Sequence, residues 1–398
     1  MKIIIIPDNP AAHARHYRIA EALAVKGHEI HFITWDFPRP LTPKKLVHHL
    51  LTSMRTSDYR DEAIMMHKIG RLPYFWPHIN GWLFKHQVKV IYKNIDADII
   101  FAESFTNETA VPKGLPFIYD LSDDYAAPAD VYGSFIYKLA FKMLGVRKTM
   151  EKQCRNALAV TAVSDVLCTY AKRYNTNVIT LPNGVDTEVI KKVAKDKLTA
   201  CKNNQSIVYV TGFGLWSRPV EAMQAVVELR KKFPHIELNM IGEGTEVPNI
   251  KQFIKDNHAE KFIHYLGFVH DRKKLFSLIN KSAVGLNVSE KNKWRDAAHP
   301  IKVLEYSALG KKVVSTDLEG VKALGFPNVF IFSDNSKKHN FIKTLETALD
   351  TNSEASLKQY KAVSQQVLKE YDWDRLATRL VKLVSSVVRS EKTVRELA

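Results

Sequence analysis

Cysteine is scarce in this sequence: three residues in 398, Cys154, Cys168 and Cys201, far apart and without paired spacing. That pattern argues against a disulfide framework or a zinc site and for a reducing compartment. Long apolar runs are also missing. The opening Met1-Lys2-Ile3-Ile4-Ile5-Ile6 is stopped by Pro7 and Asp8, too soon for the apolar core of a signal peptide. No uninterrupted stretch reaches the roughly 20 residues that span a bilayer. A cytoplasmic protein is expected, at most peripheral on the inner face of the plasma membrane. No glycine lies between Pro7 and Ala12, after the first strand-like run. A nicotinamide-dependent oxidoreductase would need G-x-G-x-x-G there.

What is present is basic. Lysine and arginine number 58 against 42 aspartates and glutamates, a net charge of +16. The partner implied is an anion: a nucleic acid, an acidic lipid surface or a phosphorylated ligand. The lysines are spread out and no nucleic-acid module is recognisable, so no nucleic-acid partner is expected. A chain of 398 residues suits two domains of roughly 170–200 residues each.

Strand-like runs alternate with helix-length amphipathic stretches throughout, which predicts α/β domains with parallel sheets. In the first half, strands are expected at Lys2–Ile6, Glu29–Thr34, Glu62–Ile69, Asp98–Ala102, Phe117–Asp120, Ala159–Val163 and Asn177–Leu181. Helices are expected at His13–Lys26, Pro43–Met54, Ile79–Asn94, Ala129–Asn156 and Asp165–Tyr174. The turn signal Pro182-Asn183-Gly184-Val185-Asp186 and a lysine-rich stretch to about Ser206 read as a linker. The pattern then restarts from Ile207. Residues 1–185 form an expected first domain and 186–370 a second, with 371–398 a closing helix returning to the first. Two doubly wound units imply a cleft, with ligands beyond the carboxyl ends of strands.

The most informative passage runs from His299 to Thr316. Pro300 and Gly310 delimit a helix, and its start offers unpaired N–H groups suited to a phosphate. Lys302 would add a point charge to a diphosphate. Glu305 shares its helix face and could accept from two vicinal ribose hydroxyls. An ordinary surface Lys–Glu pair is the plain alternative. After the strand that opens the second half, Gly212 and Gly214 would let backbone approach a phosphate. Trp216 lies beside them and Arg218 opens the next helix. A tight strand-to-helix turn explains the same glycines.

Pro300, Lys302, Glu305, Tyr306, Ala308, Gly310, Lys311, Val313, Val314, Ser315 and Thr316 match the donor-binding segment of family 4 glycosyltransferases and their GT-B relatives, whereas Lys312 replaces the usual proline. Ala162–Leu167 with Leu181–Asp186 resembles that family's interdomain signature, and Tyr371–Ala377 resembles the start of its last helix. The resemblance implies a GT-B fold and transfer of a hexose or hexuronate from a nucleoside-diphosphate sugar to a saccharide or lipid-linked acceptor. It places Glu305 on the ribose, Lys302 on the phosphates and Tyr306 at the donor. No metal and no other cofactor is expected. Many members carry a second glutamate where this chain has Ala297, so its role of steering the donor sugar is either absent or supplied elsewhere, with Asp296 and Arg295 as candidates. The tryptophan-containing variant looks more like a glucuronosyltransferase-like subgroup of exopolysaccharide synthesis. An epimerase or phosphorylase on the same scaffold is the alternative.

Tyr119-Asp120-Leu121-Ser122-Asp123-Asp124-Tyr125 follows a predicted strand and resembles that subgroup's catalytic loop. Repulsion among three acids can raise a pKa and leave a general base, with Asp124 preferred over Asp123. A capped helix start explains the same residues. A base there favours inversion, whereas family 4 resemblance favours retention. His13 or His16 after the first strand, and Glu103 after another, are candidates for the acceptor. Basic residues mixed with aromatics between Lys44 and Lys93 suit an anionic membrane surface.

Overall fold

The computed structural model describes residues 1–7, 15–35, 57–70, 77–106, 108–132, 135–195, 205–333 and 338–397. The chain divides into two compact units, one of Met1–Pro182 with Trp373–Ala398 and one of Asn183–Asp372.

The first unit is built on strands β1 (Lys2–Ile6), β2 (Glu29–Trp35), β3 (Ser57–Asp61), β4 (Ile64–Ile69), β5 (Ile99–Ala102), β6 (Phe117–Leu121), β7 (Ala159–Ala162) and β8 (Val178–Thr180). They lie in the order β3-β4-β2-β1-β5-β6-β7-β8. All pairings are parallel except the β3–β4 hairpin. Ile3 to Ile6 are completely buried, as a central parallel strand covered on both faces requires. The strand order reverses between β1 and β5, so the loops beyond Ile6 and Ala102 flank a switch point, the usual place for a ligand.

The helix Trp373–Leu397 closes this unit. Trp373, Leu376, Leu380 and Val384 join the core of β1, β2 and the helix Arg15–Val25. Arg379 donates to the Thr180 carbonyl at 2.6 Å, and Lys26 meets Asp374 at 2.7 Å.

Strands β9 (Ser206–Val210), β10 (Glu237–Ile241), β11 (Ile263–Tyr265), β12 (Val284–Asn287), β13 (Lys312–Thr316) and β14 (Val329–Phe332) make the second unit. Their order is β11-β10-β9-β12-β13-β14, all parallel. This is the doubly wound dinucleotide-binding order, with its switch point between β9 and β12.

Two expectations are corrected and one is extended. The strand expected over Glu62–Ile69 is present as β4, and it is one arm of a hairpin that turns through Glu62 at φ 50°. Its partner β3 is an edge strand of exposed Ser57, Asp58, Tyr59 and Arg60, charged as edges are and therefore silent to an apolar pattern. The single helix expected over Ala129–Asn156 is, among the described residues, the helices Ala127–Tyr132, Phe135–Leu144 and Val146–Asn156, the last two parted at Gly145 with φ 64°. Part of the supposed linker is the helix Thr187–Lys195, which buries Ile190 and Val193. The expected helix at 43–54, His13 and the parts of the basic–aromatic stretch at 44–56 and 71–76 lie outside the described residues. Among those described, no helix is long and apolar enough to cross a membrane.

Candidate functional site

In the second unit the helix Ile301–Ala308 starts after Pro300 and ends in a Schellman turn. Gly310, at φ 68°, donates to Ser307, and Lys311 to Tyr306, both at 2.9 Å. Lys312, where the resembled family has proline, is a buried residue that donates to the Thr351 carbonyl at 3.1 Å and Asn352 at 3.0 Å. It ties β13 to the end of the helix Lys338–Asp350, and burial pushes its pKa down to about 8.

Glu305 is buried, and burial raises its pKa against the opposing charge of Arg272. Arg272 Nη2 donates to Glu305 Oε1 at 3.0 Å, and its Nε lies 3.9 Å from Asp186. One carboxylate oxygen is therefore held by the protein, and the guanidinium favours the ionised, acceptor-only form. Arg272 was not foreseen. It opens a helix capped by Asp271 after β11, the strand-then-helix position that already singled out Arg218.

Lys302 is half-buried. Its ammonium makes no hydrogen bond among the described residues and lies 5.6 Å from the centre of the Tyr209 ring. Burial, and then the charge of Arg295, lower its pKa to about 7, with Glu305 pulling weakly the other way. Arg295 and Arg218 act on Tyr209 as well, so three cationic side chains lie around this residue, Arg218 among them paired with Glu221 at 3.5 Å.

The remaining donor candidates fall into two kinds. Tyr306 is fully buried, accepts from Val210 N at 3.0 Å and covers Gly285, where a Cβ would meet its ring at 2.3 Å. It braces β9 against β12 from below and offers no surface to a ligand, a correction to its expected place at the donor. Gly214 leaves room for the Trp216 indole, which a Cβ would strike at 2.5 Å, whereas Gly212 has ordinary space. Trp216 sets its edge against Trp294 at 5.5 Å. The backbone that only glycine can adopt is elsewhere. Gly242 (φ 138°) and Gly244 (φ 154°) pass so close to Thr211 and Phe213 that a Cβ would lie 1.8 and 2.2 Å from their carbonyl oxygens. This second G-x-G, after β10, was missed. Asp296 accepts from Glu319 N at 3.1 Å, which commits it to the next helix start.

The first unit holds a separate network. Arg15 clasps Asp120 with two contacts of 2.8 and 3.1 Å and also donates to the Leu181 and Pro182 carbonyls. Thr161 donates to Asp120 at 2.6 Å. His16 lies 3.0 Å from Asp120 through Nε2, poorly aligned for a hydrogen bond, and 3.1 Å from Glu103 through Nδ1. Ser122 and Tyr125 donate to the other Glu103 oxygen. Glu103, expected at the acceptor, thus has both oxygens engaged within the network.

Burial would lower the pKa of His16, but Glu103 and Asp120 outweigh it and raise the value to about 9. Burial would raise Asp120, yet Arg15 and His16 hold it well below the carboxylate range. The repulsion expected to raise a pKa in this loop is thus reversed at Asp120. Asp124 Oδ1 accepts from the N–H groups of Ala126 and Ala127, both at 3.2 Å, and Asp123 Oδ1 from Asp124 N at 2.8 Å. Asp124 therefore caps the helix Ala127–Tyr132. Both carboxylates stand half-buried just beyond the carboxyl end of β6.

A pH signature follows from His16. Its folded pKa near 9 exceeds the unfolded value near 6.5, so its stabilisation is full below about pH 6.5 and gone above about pH 9. His16→Asn is expected to be less stable than the parent by a few kcal/mol at pH 6, with the deficit shrinking by pH 9.5. Urea midpoints of the two proteins across that range check it; a constant deficit contradicts the charge assignment.

Comparison with known proteins gives the family and the fold. Residues 14–189 match the description Glycosyltransferase Family 4, and residues 205–350 match Glycosyl transferases group 1. TuaH of Bacillus subtilis (strain 168), provisionally named a teichuronic acid biosynthesis glycosyltransferase, is 21% identical over 384 residues, 92% of each chain. Sucrose-phosphate synthase from Thermosynechococcus elongatus superposes with a TM-score of 0.70 at 12% identity, covering 98% of this chain and 100% of that one. Anabaena Alr3699/HepE, solved in complex with UDP and glucose, gives 0.65 at 15% identity, covering 97% of this chain and 100% of the other. These superpositions show the GT-B fold.

Proposed function

We propose that this chain, which belongs to the group 1, family 4 glycosyltransferases and so uses a nucleotide-sugar donor, moves a hexose or hexuronate from a uridine-diphosphate sugar to a saccharide or lipid-linked acceptor in the assembly of a cell-surface polymer. The observation that carries the reading is the pair at the helix Ile301–Ala308. A buried carboxylate fixed on one oxygen by Arg272 stands one turn from an ammonium without a hydrogen bond among the described residues. Glu305 would hold the ribose through its remaining oxygen. Lys302, with Arg295 and Arg218, would take the diphosphate.

As the bond from the sugar's anomeric carbon to the diphosphate breaks, the electron pair stays on the leaving oxygen, and preplaced cations stabilise that charge. Asp124 would take the proton of the acceptor hydroxyl as its oxygen bonds to the anomeric carbon. The charge on the diphosphate is met by side chains in this scheme, which assigns no role to a metal. A uridine donor is supported by the neighbours solved with UDP and glucose and with UDP-2-fluoro glucose. A polymer product is supported by the likeness to TuaH. Exposed Trp82, stacked on His86, is consistent with an acceptor met at an anionic membrane surface.

Product analysis tests the reading. Incubation with UDP-glucose or UDP-glucuronate and membrane-extracted acceptor should release UDP and lengthen the acceptor. Epimerised donor with no UDP, or a donor-bound structure with the ribose away from Glu305, would defeat it.

A further inference from the structure

Glu29, His31, His67 and Asp58 form a row across three strands of the first unit's sheet. Ile33 of β2 lies level with His67 of β4, and Asp58 of β3 lies directly opposite His67. Side chains alternate along a strand, so Glu29 and His31 share the face of His67 and Asp58. Both histidines are buried, whereas both carboxylates reach the surface. His31 Nδ1 is 2.8 Å from His67 Nε2, with the ring planes 13° apart. At the outer ends His31 Nε2 is 2.9 Å from Glu29 Oε1, and His67 Nδ1 is 2.9 Å from Asp58 Oδ1. The row belongs to neither of the networks above.

Counting protons shows what the row requires. An ionised carboxylate only accepts, so each outer contact needs an N–H on its histidine. The middle contact needs one N–H facing one bare nitrogen. Three contacts therefore need three ring protons, and two neutral imidazoles carry only two. With two, one contact goes unmade. A fourth would set two N–H groups against each other at 2.8 Å.

The surroundings favour the middle number. Carboxylates at both ends attract the third proton. On the same face β1 adds Lys2, level with Glu29, and β3 adds Arg60, level with Met65; both cations oppose a fourth. The helix Arg15–Val25 covers the other face, where Tyr17 donates to Asp61 at 2.6 Å. Burial lowers the pKa of His31 against its bond to Glu29, and the charge of His67 lowers it further. Ser57, Asp58, Tyr59 and Arg60 of β3 are all exposed. Apolar burial therefore does little to hold this edge, and the row ties it to β2 through β4.

We propose that this row is a proton-operated clasp that fastens the edge hairpin β3–β4 to the sheet, closed when His31 and His67 share one imidazolium charge and opened by acid when both rings become charged. The unfolded chain takes up the last proton near pH 6.5, and the folded row only at lower pH. The clasp thus contributes fully above about pH 6.5 and is lost as the pH falls through the lower folded value. His16, whose pKa is about 9, stays charged throughout that range and does not mimic the effect.

The test uses the full chain with histidine labelled by nitrogen-15, read by ring-nitrogen resonances, and amide hydrogen exchange in parallel. His31→Gln and His67→Gln assign the signals. At about pH 7.5 the two rings should hold three protons, with His31 Nε2 and His67 Nδ1 both protonated. As the fourth enters on acidification, protection of the β3 and β4 amides, corrected for intrinsic rate, should fall by about tenfold or more. Strands β6 and β7 should keep theirs. Asp58→Asn, at an exposed site where the amide oxygen can still accept, should fold normally and release the third proton about one pH unit lower than the parent. Two or four ring protons at about pH 7.5, hairpin protection that ignores the fourth proton, or an unmoved release in Asp58→Asn overturns the proposal.

Discussion

Replacing Lys302 with methionine is expected to weaken donor binding strongly and to raise the melting temperature of the empty enzyme. The two effects have one origin. An ammonium held in a half-buried position beside Arg295, with its pKa lowered to about 7, is carried at a cost that only a bound anion offsets. In the unfolded chain a lysine titrates near 10.5. Between about pH 7 and 10.5 the unfolded state therefore holds a proton that the folded state lacks, and stability rises with pH. Below pH 7 both states are charged, and the full penalty, on the order of a few kcal/mol, is present. Methionine fills similar space without charge.

The variant should thus be more stable than the parent at pH 6.5, by several degrees in a thermal melt. That advantage should shrink toward pH 10. Loss of a desolvated contact to a diphosphate should weaken nucleotide binding by about 100-fold. Titrating the parent at pH 8 in buffers of different ionisation enthalpy should also show proton uptake on binding, because an adjacent anion raises the pKa of Lys302. A variant that melts lower at pH 6.5, or that binds nucleotide like the parent, removes the assignment.

The legibility of this site in the sequence followed the range of its interactions. The helix Ile301–Ala308 was readable because its signals, Pro300 at the start and Gly310 at the end, are local and act on their own backbone. Lys302 and Glu305 came with it. What completes the pair did not: Arg272 reaches Glu305 across 33 residues, on a contact that no periodicity encodes. The same holds in the first unit, where Arg15 and Asp120 meet across 105 residues. The acidic loop was read as mutual repulsion because the cations that neutralise Asp120 arrive from another element. Gly214 was noticed for a phosphate, but what its missing Cβ admits is an indole two residues on. Parallel strands with buried isoleucines were read well, whereas the hairpin arm β3, made of exposed polar residues, carried no apolar pattern to read.

Asp124 poses the sharpest question, because one carboxylate has two possible duties. It caps the helix Ala127–Tyr132 through Oδ1, and the reading above also gives it the acceptor's proton. Asparagine separates the duties, since it caps a helix about as well as aspartate but has no basicity. Asp124→Asn should therefore keep the melting temperature while kcat falls by about 10²–10⁴-fold, the usual worth of a general base. The KM for the donor should hardly move, because the proposed reading gives the ribose and diphosphate to Glu305 and Lys302. Asp124→Ala should lose kcat and also about 1 kcal/mol of stability with the cap. Asp123→Asn, at the carboxylate that accepts from Asp124 N at 2.8 Å, is the control and should retain most of its activity. The anomeric configuration of the product supplies an independent reading: displacement assisted by a base at Asp124 inverts the centre. Full activity in Asp124→Asn, or a retained configuration, leaves Asp124 as a helix cap and transfers the search for the proton acceptor away from this loop.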